Sequence, residues 1–570
     1  MSPDSSTPPQ RAAQLLVSCL AAQGVKNVFL VPGESYLGVL DALLDAPEIE
    51  MTVCRQEGGA AMMAEADGKL TGRPGVCMVT RGPGATNASA GLHIARQDGT
   101  PLVLFVGQVA RWMKEREAFQ EVDYGQLFGK VAKWVAEIDS AERIPEMISR
   151  AFHTAMSGRP GPVVLAIPED MQGDLLPQPL PIPAAAEPAR ATVTAEDAEA
   201  ILERLDAAER PLAVVGGSPW SAEARLQLEA FAERWSLPVS ASFRRQDFFD
   251  NSHPNYAGDA GIGINPALAA RIREADVLLL LGTRFSEMES SGYRLRDIPG
   301  PGAGLVHVFP DPDEIGRVYR PAIGVAAPAA QVIADLSRHP AEPQRADSRQ
   351  AHVEACRQDY ETWSSLPPER GSLAMAGVMR HLAEVLPEDA IVTNGAGNYT
   401  VWVHRFHRYR RYGTQLAPIS GSMGYGLPAA VAAARTQPER LVVCFAGDGC
   451  FLMHGQELAT AAKYGLSLIV ILVNNASYGT IRMHQERNFP GRVSGTDLKN
   501  PDFSLLAHSY GCHGETVKRT EQFPAAWQRA LRHEGPSLIE LKVNPEYITP
   551  SQTLSEIRSA AQRRGAKTAS

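Results

Sequence analysis

The stretch RLVVCFAGDGC, Arg440–Cys450, drives an apolar run straight into an aspartate held between two glycines. A second apolar run, LIVILVNN (Leu468–Asn475), stops as abruptly at a pair of asparagines, one helix and one strand further along. Either ending alone is an ordinary turn. Together they describe two neighbouring parallel strands whose ends deliver oxygen ligands, and in open α/β sheets ligands bind where strands end. The glycines beside Asp448 allow a tight turn and close approach of backbone amides. Asp448 and Asn475 offer a carboxylate and an amide oxygen, hard donors suited to Mg²⁺, which commonly takes one or two carboxylates and completes its shell with water and phosphate.

The same pattern of short apolar segments alternating with helical stretches runs through the chain from about residue 12, the signature of α/β architecture with parallel sheets. NVFLV, GVCMVT, LVLFVG and PVVLAI read as strands in the first third; PLAVVGG, VLLLLG and LVHVF in the second; AIVTNG, RLVVCFAGDG, LIVILVNN and SLIELKV in the last. Those of the first third are apolar on both faces, as strands covered by helices on two sides are. LPQPLPIPAAAEPARATVT (Leu176–Thr194) reads as a linker, and RHPAEPQRADSRQAH (Arg338–His352) as a second polar break. The expected domains are 1–180, 190–340 and 360–550, with a tail at 551–570. A chain of 570 residues holds about three to five domains by length alone.

A formal net charge of −9 without a basic block argues against a nucleic-acid partner. The N-terminal MSPDSSTPPQRAAQ has no basic segment followed by an apolar one, and no apolar run is long enough to span a bilayer. The seven cysteines form no CxxC pair, and several lie inside apolar runs. The expectation is a cytoplasmic chain with buried, reduced thiols and no membrane partner.

GDG followed by NN at this interval resembles the diphosphate-binding motif of thiamine-diphosphate enzymes. The resemblance implies that Asp448, Asn475 and the main-chain carbonyl of Ser477 hold Mg²⁺ against the cofactor, with amides of Gly449 and Cys450 on its phosphates. CRQEGGAAMMAEADGKL (Cys54–Leu70) resembles the segment whose glutamate, here Glu57, bonds the aminopyrimidine so that its exocyclic amine becomes a base. ISGSMGYGLPAA (Ile419–Ala430) resembles the loop whose methionine, here Met423, wedges the two cofactor rings into a V, with the carbonyl of Gly421 receiving the amine. VPGESYLGVLDAL, TRGPGATNASAGLHIARQDGTPLVLFVGQV and REAFQEVD are similar to stretches of the acetolactate synthase branch, in which Phe119 and Gln120 would lie near cofactor and substrate. That branch implies three α/β domains (pyrimidine-binding, central and diphosphate-binding), a homodimer or homotetramer, and sites completed between chains.

Two departures stand out. In YGTIRMHQERNFPGRV, His484 takes the place of a tryptophan that shapes the acceptor pocket in acetolactate synthases, so a bulky apolar acceptor is in doubt. The flavin that those enzymes carry is only partly supported: PLAVVGGS and GTRFS resemble its segments, but Phe309 and Pro310 interrupt the acidic run in HVFPDPDEIG, and the balance is against FAD. The expected activity is carboligation from a 2-oxo acid donor such as pyruvate. Non-oxidative decarboxylation or another C–C lyase reaction is the alternative within the family, and an inactive regulatory paralogue the alternative outside enzymes.

Overall fold

The structure, a computed structural model, describes residues 9–300, 302 and 304–568. It divides into two compact units, Met1–Ala189 and Arg190–Ser570. The first is built on one six-stranded parallel sheet and the second on two.

In the first unit the strands are β1 (Asn27–Leu30), β2 (Glu50–Val53), β3 (Gly75–Val79), β4 (Leu102–Gln108), β5 (Trp134–Glu137) and β6 (Pro162–Pro168). Their spatial order is β2-β1-β3-β4-β6-β5, so the winding reverses between β1 and β3. Such a reversal opens a crevice at the carboxyl ends of the strands. Two helices start there: α1 (Glu57–Thr71), which follows β2 and begins with the expected Glu57, and α2 (Pro83–Asp98), which follows β3. They pack closely because their facing residues are small. A Cβ on Gly91 of α2 would lie 2.4 Å from the Cβ of Ala61 on α1. At the far end of the pair, Lys69, its side chain largely covered, bridges Glu65 (3.0 Å) and Asp98 (2.5 Å). Residues 58–68 of α1 are all buried in the chain, whereas Thr86, Ala90 and His93 leave one face of α2 exposed.

The second unit opens with β7 (Pro211–Val215), β8 (Val239–Ser242), β9 (Tyr256–Ala260), β10 (Val277–Leu281), β11 (Leu305–Val308) and β12 (Ile323–Val325), in the order β9-β8-β7-β10-β11-β12. Its last sheet comprises β13 (Ile391–Asn394), β14 (Gln415–Leu416), β15 (Val442–Gly447), β16 (Ile469–Asn474), β17 (His513–Val517) and β18 (Ser537–Lys542). The order β14-β13-β15-β16-β18-β17 repeats that of the first sheet, with the reversal between β13 and β15. All seven cysteines are buried and outside any disulfide, and no helix among the described residues is long and apolar enough to cross a membrane.

Three local expectations change. The one helix expected between the two strand ends is broken into Asp448–Phe451, a 3₁₀ turn at Gly455–Glu457, and Leu458–Lys463. The break falls at His454, whose backbone is not helical (φ −137°), where Phe451 turns inward against Phe503 and the bare Cα of Gly455. The polar stretch 338–352 becomes a helix from Ala346, because buried Arg349 caps the carbonyls of Leu205 and Trp235. The segment read as a tail forms a helix over Leu554–Thr568 that packs on the helix Gly479–Asn488; these are α4 and α3 respectively. Met483, Ile548, Leu554 and Ile557 make an apolar cluster between them, and Glu486 receives both Arg558 nitrogens at 2.7 Å.

Candidate cofactor site

At the reversal point of the last sheet the ends of β13, β15, β16 and β18 line a cavity of about 290 Å³. Parallel pairing sets Gly447 of β15 opposite Val473 of β16, which places Asp448 and Asn475 on adjacent strand ends as their spacing predicts. Asp448, Gly449, Cys450, Asn475, Ser477, Gly421 and Met423 all line this one cavity. Asp448 is 3% exposed. Burial raises its carboxyl above the ordinary range, while the Asn500 side chain and the amides of Gly449, Ala476 and Ser477 pull the other way.

The turn after β16 is held open by a left-handed backbone at Ala476 (φ 54°). The Asn474 side chain accepts the amide of Ala476 (3.0 Å), and the Asn475 side chain that of Ser477 (3.1 Å). A bridge from Ser477 to Asp497 and a bond from its hydroxyl to the Thr496 carbonyl (3.0 Å) brace the same turn. Asn500, which sequence reasoning missed, donates to both Asp448 Oδ2 (2.7 Å) and Asn474 Oδ1 (3.0 Å). Its own Oδ1 is buried without a hydrogen-bond partner among the described residues. One carboxylate, neighbouring amide and carbonyl oxygens and an orphaned buried oxygen together fit a small hard cation with phosphate.

Cys450 joins this turn to the methionine loop. Its sulfur accepts from the amide of Gly424 (3.1 Å) and from the Tyr399 hydroxyl (3.3 Å). Gly424 has a left-handed backbone (φ 82°), and a Cβ there would lie 2.5 Å from His454 Nδ1, so only glycine lets the loop close. Asn398, Thr480, Ile481, Asn544 and Tyr547 also line the cavity and carry no sequence pattern that marks them. Asn398 receives Thr480 Oγ1 (2.9 Å) and donates to the Ile548 carbonyl (3.2 Å), tying three segments of the wall. His484 lies in the second turn of α3, exposed, and is not among the lining residues; Ile481 is. Partial burial and Arg487 lower the His484 imidazole below its ordinary value.

Within the first unit, Glu57 is the first residue of α1, where Gln56 caps the helix by accepting the amide of Gly59 (3.0 Å). Glu57 Oε2 accepts from Asn87 of α2 (3.0 Å), and Oε1 lies 3.4 Å from where a Cβ on Gly84 would stand. Gln120, itself left-handed (φ 64°), lays its carbonyl over Gly82, where a Cβ would be 2.8 Å away. Glu57 and Gln120 are thus brought to the first turn of α2, while the Phe119 side chain is 73% exposed.

Residues 10–127 match the N-terminal TPP binding domain of thiamine pyrophosphate enzymes, 198–336 their central domain and 395–541 their C-terminal TPP binding domain. The acetolactate synthase isozyme 2 large subunit of Escherichia coli is 33% identical over 93% of this chain and 95% of its own length. The acetolactate synthase of Mycobacterium bovis is 35% identical over 89% of this chain and 84% of its own. With three domains matched in order and relatives aligned over most of both chains, this protein belongs to the thiamine pyrophosphate enzymes, in their acetolactate synthase-like branch.

Proposed function

We propose that the protein holds thiamine diphosphate through Mg²⁺ on Asp448, the Asn475 side chain and the Ser477 carbonyl, and joins the acyl part of a 2-oxo acid such as pyruvate to a second carbonyl compound. The observation that carries this reading is the convergence of the GDG turn, the NN turn and the Met423 loop on one cavity. Bound there, the cofactor supplies the electron sink that loss of carbon dioxide requires. The chain's own groups do the rest. Gly449 and Cys450 would present amides to the diphosphate, Met423 would pack against the cofactor from the cavity wall, and the Gly421 carbonyl would accept its exocyclic amine. Glu57 shares a proton with the aminopyrimidine, and Phe119 and Gln120 border the substrate. The limits 1–180, 190–340 and 360–550 fit this division of labour.

Glu57 and the diphosphate ligands belong to different units, which supports a homodimer or homotetramer whose sites are shared between chains, working in the cytoplasm. A bound flavin is not part of this reading. At the reversal point of the middle sheet a Cβ on Gly217 would lie 1.8 Å from the Gly282 carbonyl, and Trp220 donates to the Gly216 carbonyl (3.0 Å), which supports a crevice closed by the chain itself. Visible flavin absorbance in the purified protein would overturn that point. The function itself is tested by supplying Mg²⁺, thiamine diphosphate and a panel of 2-oxo acids and aldehydes, with products read by mass spectrometry. Carbon–carbon bonded products are expected; aldehydes as the only products would make the protein a simple decarboxylase.

A further inference from the structure

The loop that presents Gly421 and Met423 is held from the middle sheet. β14, the edge strand that leads into it, has only two residues, paired with β13. Much of its hold comes from the turn that follows β8. Asp247 Oδ2 accepts the amides of Gly413 (3.0 Å), Thr414 (3.1 Å) and Gln415 (3.3 Å). Gln246 donates its own amide to Gln415 Oε1 (2.8 Å), and Gln415 Nε2 returns a bond to Gln246 Oε1 (2.9 Å). From the same turn, Arg244 Nη1 donates to the carbonyl of Pro418. That oxygen also accepts the amide of Gly421 (3.0 Å), so arginine and glycine share one acceptor.

The Arg244 backbone is left-handed (φ 61°), a conformation that glycine adopts freely and other residues adopt at a cost in stability. Such strain persists only where the surroundings over-determine it, and it gathers at ligand sites. The residue is 3% exposed, and its guanidinium carbon lies 4.8 Å from the centre of the Phe243 ring, which holds the planar fork in one direction. Pro418 is the last buried residue before the chain emerges into the cofactor cavity, where Gly421 is exposed. Gly421 has no side chain to lock its own left-handed backbone (φ 68°). The direction of its carbonyl therefore depends on the turn that Pro418 closes. Arg244 is not among the cavity-lining residues, so it acts on the site through this turn.

We propose that Arg244 is a positioning residue of the middle sheet, which holds the Pro418 carbonyl and so fixes the Gly421 carbonyl and Met423 against the ring end of the cofactor. This rests on the reading that thiamine diphosphate binds with its diphosphate on the Asp448 turn and its rings against the Met423 loop. The two halves of the site then have different supports. Adjacent strand ends of the last sheet make the Asp448–Asn475 half, whereas the Met423 half depends on a bond from the middle sheet.

The test compares two ligands of the full chain by calorimetry, thiamine diphosphate and inorganic diphosphate, each with Mg²⁺. Arg244→Met keeps an unbranched side chain without a donor, and Arg244→Gly also relieves the left-handed backbone. Both variants should bind inorganic diphosphate as wild type does, and thiamine diphosphate about tenfold more weakly, the scale of one lost hydrogen bond from a charged group. In variants saturated with cofactor the thiazolium proton should exchange for deuterium more slowly than in wild type, because the exocyclic amine has lost a fixed acceptor. An unchanged ratio of the two affinities, whether neither falls or both fall together, makes Arg244 a structural residue and overturns the proposal, as does exchange at the wild-type rate. Wild-type protein that binds thiamine diphosphate no more tightly than inorganic diphosphate would instead remove the rings from the Met423 loop. That result overturns the reading of the site, and the proposal with it.

Discussion

The amide of Gly424 donates to the sulfur of Cys450 across 3.1 Å, linking the loop that presents Met423 to the turn that presents Asp448. Replacing Cys450 by alanine removes the acceptor of a buried amide and of the Tyr399 hydroxyl. A buried group left unsatisfied costs about 1–3 kcal/mol. Cys450→Ala should therefore lower the melting temperature and weaken thiamine diphosphate binding, with Cys450→Ser retaining most of both. Equal calorimetric affinity in the two variants would show that the sulfur does not couple the segments.

Glu57→Gln keeps the shape of the side chain and a partner for Asn87, but no longer shares a proton. Exchange of the cofactor's thiazolium proton for deuterium should slow by about 100-fold or more, the scale of a lost general acid–base group. Exchange at the wild-type rate would remove Glu57 from its assigned role.

Asp448→Ala takes away the one charged ligand assigned to Mg²⁺ and should make cofactor affinity weak and insensitive to a Mg²⁺ titration. Asn500→Ala leaves the carboxylate but deprives it of the 2.7 Å amide, and should weaken affinity by about tenfold, the scale of one hydrogen bond to a charged group. If Asn500→Ala is as damaging as Asp448→Ala, Asn500 is a ligand rather than a brace.

Glu486 is 1% exposed and pinned by Arg558, Arg482 and the amide of Gly491, and the Arg558 bond above all lowers its carboxyl to about 2. A carboxyl held below its unfolded value stabilises the folded form above the unfolded pKa and loses that contribution as pH falls. The anchoring of α4 on α3 should fade between pH 4.5 and about 2. At neutral pH the shift is worth about 3 kcal/mol. Hydrogen exchange over residues 554–564 should rise in Glu486→Gln at neutral pH as it does in wild type in acid. Unchanged protection would mean that the apolar cluster alone holds the helix.

Much of this was legible in the chain because burial on both faces forces strands to be apolar throughout. That is why the central strands of each sheet stand out in the sequence. The edge strands do not: HGETV at 513–517, QL at 415–416 and WVAE at 134–137 are short or half polar, and pairing rather than composition makes them strands. Asp448 and Asn475 could be paired from spacing alone, since one crossover between neighbouring parallel strands fixes their distance. Asn500 could not, because it comes in on a loop whose course no periodicity encodes. Nor could the break at His454, which depends on how Phe451 meets Phe503.

Mixing inactive Glu57→Gln and Asp448→Ala chains asks which chains complete a site. Shared sites predict that mixed dimers regain one intact site, so activity returns at up to about a quarter of the wild-type level for random pairing of equal amounts in a homodimer. No recovery at any ratio, with dimers shown to exchange, would place each site within a single chain.

Gly91 and Ala61 meet in the middle of a helix pair whose leading ends carry Asn87 and Glu57, and there is no room between them for one methyl group. Position 91 is therefore a dimensional stop. The placing of the Glu57 carboxylate is gauged by a residue that bears no functional group, so a mutation there would resemble a lesion in the chemistry while every reacting group remained present.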